Sequence, residues 1–476
     1  MSRLPQRLWV ALASMAISAP IAWAQQQAQD QSNAPIPAYH SPLAGVDNGA
    51  DDNSTVSDQQ LKPDTRPLAG AQDLSLGVPP ETHSYWQPHF DASSTFDSNA
   101  LATNNKSGWA NYTTLLAGID LVRTSGNSNL KLSYVGGGSL SNNPAIGNSV
   151  IQELGVAEKL SFHRSVLSIF DHLLYLPESA AGIGGLGGIA LPGGGSIGLG
   201  GAFLPGQSIL NVRGQRLTNA FITQDETSLT SRSSVIFVGG YSLLHFVDNT
   251  LLDSGEIIFQ GGYNHTLTRK DTIAVFYRFS GYRYSNFDQS INDHSVLVSY
   301  ARRVTGRLAF KVAGGPYVAF FAVPITTTNS TTLSSWTLNA SLTYVFRRNE
   351  LRLDYDHGLS GGSGVLAGSK LDSVSGTVER QLSRTFKGSW DLGYARNVGL
   401  LVAGSTTPTA NQAFDYWFTG GHLTHTLGRT LDVFLNYRLQ YQNSSSTFCA
   451  GSSCQTSFVR NQISFGLGWH KQPIPF

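Results

Sequence analysis

The sequence predicts an all-β fold: a transmembrane, antiparallel, up-and-down β-barrel of about eighteen strands, with sixteen as the alternative. Three observations carry this reading. From Ser84 onward, segments of about 11–14 residues alternate apolar and polar side chains. They are longer than the roughly 5–6 residues of a soluble strand and reach the roughly 9–11 that cross hydrocarbon. Aromatic residues stand near the ends of the apolar faces. Short turns carrying a basic residue alternate with long Ser/Thr/Gly/Asn loops.

Composition agrees. Of 476 residues only 13% are charged, about half the roughly 25% of globular chains. Glycine supplies 50 residues, and the two methionines, Met1 and Met15, both fall before Ala24. A large helical core is therefore not expected. The formal charge of +1 becomes −1 once Arg3 and Arg7 are set aside, which offers no surface for nucleic acid.

Residues 1–24 read as a secretory signal. Arg3 and Arg7 precede an apolar run from Leu8 to Ile21, and Ala22-Trp23-Ala24 is a small-x-small site with cleavage expected after Ala24. Residues 25–82 are rich in Gln, Asp, Pro, Ala and Ser, and read as a disordered periplasmic tail. Residues 83–476 are assigned to the barrel.

Within the barrel, Trp336, Leu338, Ala340, Leu342, Tyr344 and Phe346 share one face, with Val345 the exception on the other. Leu431, Val433, Leu435, Tyr437, Leu439 and Tyr441 repeat the pattern against Asp432, Asn436, Arg438, Gln440 and Gln442, with Phe434 the exception. Alternation is poor in Ser84–Asp97, Ser165–Leu176 and Leu217–Leu229. Short turns such as Arg123-Thr124-Ser125-Gly126, Thr268-Arg269-Lys270-Asp271 and Leu427-Gly428-Arg429-Thr430 separate hairpins. Longer loops include Thr326–Ser334, Gly358–Ser369, Gly399–Ala413 and Asn443–Gln455. Eight such turns, with one strand before the first hairpin and one after the last, make eighteen strands with both termini on the short-turn side. Closure leaves no edge for hydrocarbon to meet.

The leader, the alternating strands, the asymmetry of the connections and terminal Phe476 together resemble bacterial outer-membrane β-barrels of the porin kind. The resemblance implies an outer-membrane location, contact with outer-membrane lipid, and insertion by the barrel-assembly machinery, which reads a terminal aromatic residue. Lys471-Gln472-Pro473-Ile474-Pro475 departs from it, since two prolines are not expected in a regular paired strand, so the residue read is Trp469 or Phe476. Association into a homotrimer is left open.

A barrel of this size is wide enough for a wet lumen. Parity turns Lys131, Arg278, Lys311, Arg352, Asp354, Asp356, Glu379, Lys387, Asp391, Asp432, Arg438 and Arg460 inward, seven basic and five acidic. These residues are expected either to line a mixed-charge pore with a weak anion preference or to stiffen the wall as ion pairs. Ala180–Gly206 holds twelve glycines in twenty-seven residues and no charge. Its Ile183, Leu186, Ile189, Phe203 and Leu204 need shelter from water, which favours a constriction loop folded inward over an external loop or a contact with lipid. In general porins the third outer loop narrows the pore, but that loop is usually acidic. Cys449 and Cys454, with four residues between them, are expected to form a disulfide. No metal or cofactor is expected, because that loop offers no further ligands.

Catalytic patterns are weak. Gly358-Leu359-Ser360-Gly361-Gly362 matches G-x-S-x-G, and Gly182–Gly187 matches G-x-G-x-x-G, but neither is followed by an expected helix. Asp354 and Asp356 point inward while His357 points outward, so no base shares their face. The expected function is passive or weakly selective diffusion of small solutes rather than catalysis. The alternatives are a structural or adhesive barrel with ligand-binding outer loops, and a barrel hydrolase. An energised receptor is disfavoured for want of a folded plug.

Overall fold

The computed structural model describes residues 83–102, 108–144, 146–177, 214–247, 251–285, 289–325, 330–346, 348–361, 366–400, 413–444 and 457–476. The leader, the tail, the Gly-rich segment and both cysteines lie outside them. Eighteen long strands follow in order: β1 Tyr85–Asp97, β2 Ala110–Ser125, β3 Ser128–Ser141, β4 Ser149–Ser161, β5 Ser165–Leu176, β6 Arg216–Thr230, β7 Ser233–Phe246, β8 Ser254–Thr266 and β9 Asp271–Tyr284. Then come β10 Ser290–Arg303, β11 Leu308–Ile325, β12 Ser330–Val345, β13 Asn349–Ser360, β14 Ser369–Gln381, β15 Phe386–Gly399, β16 Ala413–Leu427, β17 Leu431–Ser444 and β18 Ser457–His470. Each pairs antiparallel with its sequence neighbour, and β1 pairs with β18 from His89↔His470 to Asp97↔Gln462, closing the barrel. Among the described residues no helix is long and apolar enough to cross a membrane.

The eight short turns fall where the sequence places them. Gly126 and Gly428 occupy the left-handed region at φ 50° and 82°, where a Cβ would be strained, and so permit the tight reversals after β2 and β16. One connection differs from expectation. Thr326–Ser334 is not a long loop: pairing of β11 with β12 continues through a register shift between Phe320 and Ile325, leaving four residues between the strands.

The two faces are chemically distinct. Outward side chains are large and apolar, and they are exposed: Phe237 60%, Phe259 57%, Leu392 53% and Phe465 50%. A continuous surface of this kind is stable against hydrocarbon, not water. Aromatic rows bound it. On the long-loop side, Tyr355, Val374, Tyr394, Trp417 and Tyr441 are successive cross-strand partners from β13 to β17. Just beyond them polar contacts begin: His357 Nδ1 lies 2.5 Å from Asp372 Oδ1, and the Tyr394 hydroxyl donates to Asp415 Oδ1 at 2.6 Å. On the short-turn side Trp86, Tyr344, Phe346, Phe386 and Trp469 stand beside the turns and the closing seam. This matches the interfacial girdles of membrane barrels.

The C-terminus corrects one expectation. Ile474 and Pro475 form a short strand, β19, paired with Trp86 and Tyr85 of β1. Lys471 N–H donates to the Pro88 carbonyl at 3.0 Å, and Phe476 N–H to the Ser84 carbonyl at 3.4 Å. Pro473 precedes this two-residue strand, and Pro475 is tolerated in it because the strand is an edge, where a missing N–H need not break a ladder on both sides. Removing residues 471–476 is expected to leave the barrel closed but to lower the temperature at which it loses its compact form in detergent electrophoresis. An unchanged transition would show that β19 adds nothing.

Candidate functional site

The inner face is the candidate site. The register turns all twelve charged residues singled out above inward. Lys131 stands opposite Val122 and Ala157, and Lys311 opposite Ala301 and Ser341. Many of the charges are paired. Arg352 Nε lies 3.1 Å from Asp354 Oδ2, and Lys387 Nζ 3.4 Å from Glu379 Oε2. Arg438 Nη2 lies 3.3 Å from Asp391 Oδ2, and its guanidinium sits 5.4 Å from the centroid of the Phe418 ring. Asp356 accepts from Asn339, and His470 Nδ1 lies 3.4 Å from Asp432 Oδ2.

Arg460 is held most completely. Its Nε and Nη2 donate to Asp97 Oδ2 at 2.9 and 2.7 Å, and both side chains are buried, at 1% and 0% exposure. Gln462 Nε2 adds a donor to Asp97 Oδ2 at 3.2 Å, and the Asn99 N–H caps Asp97 Oδ1 at 3.0 Å. The pair ties β1 to β18, two strands brought together only by closure.

Sequence reasoning misses most of the inner acids. Asp91, Asp97, Asp120, Glu153, Glu226, Glu256, Asp293 and Glu350 also face inward, and among the described strands the further inward bases are Lys159, Arg216 and Arg303. Counted with these, the inward acids outnumber the bases, so the slight basic excess of the twelve does not extend to the whole inner face. The omission has a simple origin: several of these acids lie in β1, β4, β6 and β8, where alternation is irregular and parity is hard to assign.

A second feature is absent from the sequence reading. The inner face of β5–β10 carries a band of apolar residues among its polar ones. Phe170 and Leu174 of β5, Ile222 of β6, Ile236 and Val238 of β7, Ile258 of β8, Phe276 of β9 and Leu297 of β10 all turn inward and are buried. Apolar residues on both faces explain why β5 and β6 lack clean alternation in sequence. Phe434, the exception in β17, also faces inward, over Gly466 of β18, where a Cβ would collide with its ring.

Toward the long-loop end, Tyr282, Ile291, Tyr317, Ala319 and Phe321 form an apolar cluster on the inner face of β9–β11. Leu359, at the end of β13, packs into it, with Leu400 beside it. A Cβ on Gly361 would strike the Tyr282 ring. The outer end of the β13–β14 hairpin thus bends inward onto the wall of β9–β11.

The remaining sequence candidates are separated from any catalytic arrangement. Ser360 is buried in the last position of β13, and no helix follows among the described residues. His357 stacks on Trp336 at 3.9 Å between centroids and pairs with Asp372, all on the outward face. Among the described residues, no group of three or more His, Cys, Asp or Glu could hold a metal ion. Ile183, Leu186, Ile189, Phe203, Leu204, Cys449 and Cys454 lie outside the described residues.

No family model matches the chain, and no curated protein matches its sequence. Solved outer-membrane proteins of Pseudomonas aeruginosa are similar at a distance. OpdK is 11% identical, with 81% of this chain and 99% of that chain covered and a TM-score of 0.40. OpdQ is 10% identical, with 83% and 100% covered at 0.41, and OccK2 (OpdF) is 12% identical, with 81% and 98% covered at 0.41. At this level of similarity the assignment rests on the chain's own geometry: eighteen closed antiparallel strands, an apolar outer band with aromatic rims, and a charged inner face make it a transmembrane β-barrel of the outer-membrane kind.

Proposed function

We propose that the chain is a porin-like channel in a bacterial outer membrane, through which small solutes diffuse passively or with weak selectivity. The supporting observation is the charged inner face of an eighteen-strand barrel, since barrels of about 16–18 strands leave an aqueous passage. Arg352, Asp354, Glu379, Lys387, Asp391 and Arg438 lie along one stretch of wall, from β13 to β17, and would set a local field across the passage. The apolar wall of β5–β10 faces the lumen on another stretch. It offers the Gly-rich segment 180–206, which joins β5 to β6, the apolar shelter its aliphatic residues need.

Reconstitution into planar bilayers tests the reading: discrete conductance steps are expected. Under a salt gradient the reversal potential should show no anion preference, because the inner acids offset the bases. Correctly inserted, heat-modifiable protein without conductance would favour the structural or adhesive barrel, whose lumen the buried apolar wall would fill. Insertion by the barrel-assembly machinery and contact with outer-membrane lipid accompany the channel reading. A homotrimer is a further arrangement to be read from cross-linking.

A further inference from the structure

The outward face of β4–β6 interrupts the apolar band of the barrel. Asp171 is outward, between the inward Phe170 and His172, and stands opposite Val156 of β4 and Phe221 of β6. It is the seventh of the twelve residues of β5. At about 3.3 Å per residue and a strand tilt of about 40°, it lies about 15 Å above the short-turn end, near the middle of an apolar band about 25 Å tall. Outward charges on other strands stand nearer the rims. Asp271 and Arg302 pair at the short-turn ends of β9 and β10, and Arg396 and Asp415 near the long-loop ends of β15 and β16.

The surroundings of Asp171 on this face are apolar: Ile169 and Leu173 along its own strand, Val156 and Phe221 across it. The polar group it meets is Asn219, which stands opposite Leu173. Asn219 Nδ2 donates to Asp171 Oδ1 at 2.7 Å and makes a longer contact, 3.4 Å, with the His172 carbonyl. Asp171 Oδ2 and the Asn219 amide oxygen accept no hydrogen bond among the described residues. Gln152, opposite Tyr175, and Thr223, opposite Ile169, carry the polar patch toward the long-loop and short-turn ends.

Hydrocarbon offers no donor to a carboxylate oxygen, so ionisable groups at this depth lie against protein rather than lipid. Whatever covers Asp171 must itself be embedded in the membrane. The patch contains its own complement, an acceptor-only carboxylate beside an amide with two N–H donors. Their 2.7 Å contact places both groups at one depth. A two-fold axis along the membrane normal, passing between them, therefore sets the carboxylate of each copy against the amide of the other. Self-complementary patches of this kind close into two-fold pairs, the commonest homo-oligomers. Leu173 and Phe221 complete the four-residue cell with Asp171 and Asn219, and so lie beside that axis.

We propose that the outward face of β4–β6 is the contact surface of a two-fold homodimer in the membrane, in which Asp171 of each copy accepts a hydrogen bond from Asn219 of the other. The pairing stands or falls independently of conductance.

The experiment is disulfide cross-linking in native membranes, in the full chain carrying Cys449→Ser and Cys454→Ser. Leu173→Cys should link into a species of twice the chain's mass. Trp390→Cys, outward on β15 and on the far side of the barrel, should not. Asp171→Leu should raise the dissociation constant of the detergent-solubilised dimer about tenfold or more, as loss of charge-assisted hydrogen bonds predicts, while heat-modifiability shows the barrel intact. If that variant does not fold, Asn219→Leu should have the same effect. A monomer without cross-links would overturn the proposal, as would a dimer that Asp171→Leu or Asn219→Leu leaves unchanged. Equal linking through Trp390→Cys would overturn it in favour of random encounters. A trimer without a Leu173 link would overturn it in favour of a head-to-tail ring, and a linked species of any other mass in favour of a different membrane protein.

Discussion

Replacing Arg460 with methionine is expected to destabilise the barrel by about 3–5 kcal/mol, the usual cost of leaving one partner of a buried ion pair uncompensated. Asp97 would remain at the β1–β18 seam with the Gln462 amide and the Asn99 N–H as donors. Both side chains are almost wholly buried, so water cannot replace the lost guanidinium. The effect should be read from urea unfolding of the refolded barrel in detergent. The double variant Arg460→Met/Asp97→Leu should recover a large part of the loss, because it removes the stranded charge as well. A single variant that loses less than about 1 kcal/mol would place the pair in the class of solvated surface bridges. The prediction concerns closure in particular: the two residues are 363 positions apart and meet only where the first strand joins the last.

Deleting Ala180–Gly206 is expected to raise single-channel conductance several-fold without preventing insertion. The segment is uncharged and carries Ile183, Leu186, Ile189, Phe203 and Leu204, each of which gains about 1.5–3 kcal/mol from full burial. The strands it joins, β5 and β6, present Phe170, Leu174 and Ile222 to the lumen, an apolar surface next to its points of attachment. These apolar residues stand among polar ones such as His172 and Arg216, so the wall offers such a segment partial shelter. Conductance should be compared at equal salt, with heat-modifiability confirming that the shortened protein is folded. Unchanged conductance in a correctly inserted deletion variant would leave an external role, toward lipid or a partner, as the better account.

Much of this molecule is legible in its amino-acid residues alone. Period-two alternation in β12 and β17 is a local property: successive side chains of a strand must face opposite ways, and a face that meets lipid must be apolar. The short turns, the aromatic ends of the strands and the inward parity of Arg352, Asp354, Asp391 and Arg438 follow from the same rule, so face assignment in the cleanly alternating strands needs no tertiary information. What the sequence cannot decide is which inward residues meet. The Arg460–Asp97 pair depends on closure. The packing of Leu359 against Tyr282 and Ile291 depends on where the end of one hairpin bends. The apolar inner wall breaks the alternation on which sequence reading relies, so β5 and β6 are the hardest strands to assign, and Glu256 and Asp293 do not stand out by parity. Alternation reports the two sides of a single strand. The composition of the lumen is a sum over strands distant in sequence, and only the register of the closed sheet brings those strands together.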